Sequence, residues 1–156
     1  MHEVIGRRYW LVVVTVLAAF AAPAATPTLG RLVDAVLRNG PNSQLPAHLS
    51  VVLGVNPDEH STAVKQAVIR NGDSVHTFNV CVGNHKDLVM VVTNEKTQLT
   101  QAYLLTAAGV LRKAIDYEAG RAPRERLPKE ARQDFANEIK FWMHFADTEL
   151  PVQAPQ

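Results

Sequence analysis

Three side chains that favour soft metals stand close together in this sequence: Cys81, His85 and Met90. A thiolate, an imidazole and a thioether suit copper, with the thioether as the weak ligand. Cys81 is the only cysteine, so no intramolecular disulfide can form. A lone cysteine otherwise packs as a small apolar residue. The rest of the chemical inventory is sparse. There is no Gly-x-Ser-x-Gly elbow, no Gly-rich phosphate loop and no Cys-x-x-Cys, so hydrolase, nucleotide and thiol-redox roles lack support. Asp58-Glu59-His60 does not have the spacing of a zinc helix. His144 and Asp147 stand one helical turn apart, where a histidine complements a helix dipole.

The string from Cys81 to Met90, preceded by Phe78-Asn79-Val80, resembles the ligand loop of blue-copper proteins. The resemblance implies a copper ion held by Cys81, His85, Met90 and a second histidine from upstream. It then stops, because those chains end soon after the methionine and this one runs on to Gln156. The upstream histidine also lacks a place. His76 lies about 20 Å along the strand at roughly 3.3 Å per residue, and His48 and His60 fall in loops. The same string reads equally as a hairpin with a core cysteine, a core methionine and a solvated turn histidine. We adopt that reading, with no metal, no cofactor and no catalytic residue assigned.

The N-terminus carries a different kind of signal. Arg7 and Arg8 precede an uncharged apolar run from Tyr9 to Phe20, and small residues follow through Ala25. Ala22-x-Ala24 fits the small-x-small rule of signal peptidase, so residues 1–24 read as a leader cut after Ala24. The run is short for a membrane span of about 20 residues, although extended to Ala25 it just reaches, and an uncleaved anchor is the alternative. The paired arginines loosely match a twin-arginine leader. Removing Arg7, Arg8 and Glu3 leaves acids and bases equal in number. A neutral domain has no general attraction for nucleic acid or anionic lipid, so a membrane partner is expected only if the leader is retained.

These residues need a scaffold. A helix over 28–38 follows from Leu29, Leu32, Val33, Val36 and Leu37, with Asn39-Gly40-Pro41 as its stop. Residues 41–48 read as a polar loop, and 49–55 as an apolar run that suits strand or buried helix. Beyond residue 63, turn signals recur at Asn71-Gly72, Gly83-Asn84, Asn94-Glu95-Lys96, Ala107-Ala108-Gly109 and Ala119-Gly120. That rhythm marks an antiparallel meander with strands 75–82 and 88–93. A turn at Gly83-Asn84-His85-Lys86 sets Val80 opposite Val89 and Phe78 opposite Val91, with Cys81 and Met90 on one face. Segment 57–70 opens like a helix at Asn56-Pro57-Asp58-Glu59, yet its end suits a hairpin, and a strand near 64–70 is expected. Segment 98–117 has a helical reading through Leu104, Ala108, Leu111 and Ile115. Gly109 in mid-helix costs about 1 kcal/mol, so strands 98–106 and 110–117 are expected instead. From Pro128 a helix carries Ala131, Phe135, Ile139, Trp142 and Phe145 or Ala146 as one apolar stripe. The basic run Arg121, Arg124, Arg126, Lys129 and Arg132 is interleaved with acids and reads as a solvated linker.

The expectation is an α+β domain over 25–146, with an N-terminal helix, an antiparallel meander of about four to five strands and a C-terminal amphipathic helix on one sheet face. Residues 147–156 form a flexible tail. Function is then expected to be non-enzymatic binding in the periplasm or outside the cell. The partner would be another envelope protein, met through the free sheet face or an edge strand. A small enzyme with a site assembled from scattered residues and a copper protein are the rival readings.

Overall fold

The computed structural model describes residues 26–55, 61–83 and 86–146. The expected leader, Asp58-Glu59-His60, His85 and the tail from Asp147 lie outside the described residues. Helix α1, Thr26–Asn39, leads into strand β1, Asn42–Leu45, and a short helix α2, Ala47–Leu53. Five longer strands follow: β2 (Thr62–Asn71), β3 (Ser74–Cys81), β4 (Leu88–Asn94), β5 (Leu99–Leu105) and β6 (Leu111–Glu118). A short strand β7, Arg124–Arg126, and a long helix α3, Pro128–Ala146, complete the fold. All seven strands form one antiparallel sheet in chain order.

The helix–meander–helix plan is as expected, but the sheet has seven strands rather than four to five. The two additions are its edges. β1 lies in the stretch read as a polar loop, and β7 in the stretch read as a basic linker. Each is four residues or fewer, so neither shows the two-residue alternation by which strands are found in sequence. The strand choices over 62–71 and 99–118 hold. Gly109 sits at φ +88°, in the turn between β5 and β6. The apolar run at 49–55 resolves as helix α2, closed by Gly54 in the left-handed conformation.

The β3–β4 register differs from expectation by one residue. Val80 pairs with Leu88, and Phe78 with Met90. Because side chains alternate across a sheet, that slip exchanges the faces of all of β4. Leu88 and Met90 join Phe78 and Val80 beneath the long helices, while Val89 and Val91 join Cys81 on the other face. The register thus places the longer Leu and Met side chains in the thicker core layer. Cys81 N–H bonds to Asp87 O at 3.0 Å, which closes the loop around this pairing.

Both helices α1 and α3 pack on the first face. Leu29, Leu32 and Val36 of α1 and Ala131 and Trp142 of α3 meet Phe78, Met90, Tyr103 and Leu105 there. Gly40 lets the chain leave α1 close to the sheet. A Cβ there would lie 2.5 Å from Val36 O and 3.2 Å from Gln66 O, which no side chain tolerates. The second face is not left bare. Helix α2 lays Leu49 and Leu53 over it, against a core of Val64, Cys81, Val89, Leu104 and Ile115.

Candidate binding surfaces

Strand β2 is ten residues long, and β1 covers only its first four, Thr62 to Lys65. Two hydrogen bonds fix which way its peptide groups point. Gln66 N–H donates to Pro41 O on the β1 side, and Ala63 O accepts from Val82 N–H on the β3 side. Alternation then directs the N–H and C=O of Val68 and Arg70 outward, away from β3. Among the described residues no strand stands opposite them. Val68 is half-buried, and Arg70 and Asn71 are exposed. The other edge, β7, is three residues long and leaves little backbone to pair.

Helix α3 crosses the sheet so that its last turns approach this open edge. Between them lies a cleft of about 670 Å³. Ile69, Phe141 and Phe145 supply its apolar walls, and Lys140 supplies a cation at its rim; Arg70 and His144 also border it, although the Arg70 side chain alternates with Ile69 onto the other face. Arg70 is paired with Glu95 in the β4–β5 turn, and both are well exposed, so the pair adds little stability.

Phe141 separates this cleft from a smaller, polar one of about 290 Å³, to which His76, Gln101, Tyr103, Asp134 and Glu138 contribute. Phe141 stacks on the His76 ring with centroids 3.8 Å apart and planes at 21°. His76 Nδ1–H donates to the Glu138 carboxylate, 2.8 Å from Oε2, and Trp142 Nε1–H donates to the same oxygen at 3.0 Å. A carboxylate only accepts, so this contact keeps a proton on His76 Nδ1. Nε2 makes no hydrogen bond among the described residues. The described lining holds no serine, threonine or cysteine that this imidazole would activate. The pair reads as a satisfied polar anchor that locks α3 to β3.

Arg126 closes the far end. It donates to Asp134 Oδ2 at 2.8 Å and to Glu130 O at 2.9 Å, with its side chain only 10% exposed. Tyr103 is buried beside it, and its hydroxyl has no hydrogen-bond partner among the described residues. Burial, with Asp134 adding to it, pushes the phenol above its ordinary range and keeps it neutral.

No known family, curated protein or solved structure matches this chain.

The candidates read from sequence are distributed differently. Cys81 and Met90 lie in opposite faces of the sheet, which contradicts the shared face expected for them and separates the thiol from the thioether. Burial and the charge of Asp87 push the Cys81 thiol up to about 12. The basic run is not simply a solvated linker. Arg124 and Arg126 are in β7, with Arg124 near Asp116 and Glu130 and Arg126 held by Asp134. His144 is exposed in the last turn of α3, as its position implied. Sequence reasoning passed over Glu138. It falls between Phe135 and Trp142 at three- and four-residue spacing, inside the apolar stripe. A charged residue in that phase is a sign of a buried partner.

Proposed function

We propose that the chain is a small exported binding domain that takes an extended segment of an envelope protein onto the open edge of β2. The leader over 1–24 carries it across a membrane into the periplasm or beyond. The observation that supports binding is the mismatch between β2 and its neighbour: ten residues of strand against four of β1. Unpaired backbone groups on an ordered edge are a template for strand addition, in which the main chain supplies affinity and pockets for alternate side chains supply selectivity. The cleft beside Ile69 is such a pocket. Native sheets commonly blunt exposed edges, and β7 does so by being short and charged, whereas β2 runs on uncovered through Val68, Ile69, Arg70 and Asn71, with Arg70 its one charge there and engaged by Glu95.

The test is site-specific photo-crosslinking in the cell envelope. A photoreactive residue at Arg70 is expected to give one discrete adduct with a second protein, and the adduct should lack residues 1–24 by intact mass. The same group at Glu125, on the opposite edge, should give none. Equal yields from both positions, or adducts only with full-length protein in the cell interior, would contradict the proposal.

A further inference from the structure

We infer that the captured segment carries an aromatic or large apolar side chain with a carboxylate two residues away on either side. This rests on the edge-capture reading above. Ile69 points onto the helix-side face, where it is 8% exposed. A strand added beside β2 lies about 4.8 Å further out, and its residue opposite Ile69 points to the same face. That residue enters the cleft between Ile69–Asn71 and the end of α3. At about 670 Å³ the cleft falls in the range that accepts small ligands, so it holds an aromatic ring with room to spare. Phe141 and Phe145 stand at 5.1 Å and 66°, an edge-to-face pair to which a third ring can add.

The charge at the rim selects the neighbours of that ring. Lys140 of α3 lines the cleft on the Ile69 face, and no carboxylate is among its described lining residues. Arg70 is already shared with Glu95, but Lys140 forms no ion pair among the described residues. Residues two positions to either side of the inserted ring share its face, and are therefore favoured when acidic and opposed when basic. An acidic, aromatic-containing extended peptide is the occupant that satisfies the open backbone, the apolar walls and the cationic rim together.

Three fluorescein-labelled peptides of alternating threonine and valine test this by anisotropy, with centres Glu-Thr-Phe-Thr-Glu, Lys-Thr-Phe-Thr-Lys and Glu-Thr-Ser-Thr-Glu. The Glu-Thr-Phe-Thr-Glu peptide should bind about tenfold more tightly than either of the others, and its advantage over the lysine peptide should shrink as salt is raised. Lys140→Glu, at an exposed helix position, should reverse the charge preference. Equal binding of all three peptides, abolished by Val68→Pro, would leave edge capture standing and overturn the inference. Binding by none of them would remove both. A dimer of this chain that Val68→Pro dissociates, with no peptide bound, would show the occupant to be a second copy and would also overturn the inference.

Discussion

Glu138 holds two buried donors at once, the His76 ring and the Trp142 indole, and is itself 5% exposed. Removing it strands both. Each buried group left without a partner costs about 1–3 kcal/mol, so Glu138→Ala should lower the unfolding free energy by about 2–4 kcal/mol in urea titrations. Glu138→Gln keeps one acceptor and should cost roughly half as much. A loss below about 0.5 kcal/mol for alanine would mean that the pair does not tie α3 to β3. Cys81 makes the opposite kind of prediction. Its thiol is pushed from an ordinary 9.0 up to about 12, burial first and Asp87 second. The native thiol should resist iodoacetamide at mildly alkaline pH and react fully once unfolded. The fold favours the neutral form, so its contribution is complete below pH 9 and is lost as pH rises from 9 toward about 12. Stability that rises over that interval would contradict the burial. At this scale the sequence was a poor guide. Cys81, His85 and Met90 attracted attention because they are neighbours in the chain, yet a one-residue register shift set Cys81 and Met90 in different layers. His76 and Glu138 are far apart in the chain, and only the packing of α3 brings them together.

At the scale of elements, punctuation was the most legible feature. Gly109 sits at φ +88°, and a Cβ there would meet Leu29 Cδ2 of α1 at 3.0 Å. Gly109→Ala thus combines backbone strain with a crowded contact and should destabilise by about 1–3 kcal/mol. Gly30 is exposed on α1 with open space around it, and Gly30→Ala should stabilise by about 0.5–1 kcal/mol. Thermal or urea unfolding of the two variants checks both signs, and a stable Gly109→Ala protein would sink this account of the β5–β6 turn. The same glycine decided the strands on either side of it, because a turn signal inside a helical pattern is evidence against the helix. β1 and β7 escaped notice for a physical reason. Their short spans carry almost no burial pattern, with Leu45 the one buried residue of β1, and they are strands because their neighbours template them. The β3–β4 register escaped for another. Val, Leu and Met alternate without a polar phase from Leu88 to Val92, so either face of β4 suits a core.

Over the whole molecule, the sheet is buried on both faces, by α1 and α3 on one and by α2 on part of the other. Binding is accordingly proposed at the edge, because α2 covers part of the second face. The layer order was legible, because two amphipathic helices bracketing a meander have only the sheet on which to bury their apolar stripes. Which edge remains open was not, since it depends on how few residues β1 contributes. Residue-resolved amide hydrogen exchange reads that edge most directly. In the free protein Val68 and Arg70 should exchange quickly while Ala67 and Ile69, which face β3, are protected. Saturation with the Glu-Thr-Phe-Thr-Glu peptide should slow Val68 and Arg70 to the rates of their neighbours. Protection of Val68 and Arg70 in the free protein, or no change on saturation, would contradict the claim that this edge is where the domain binds.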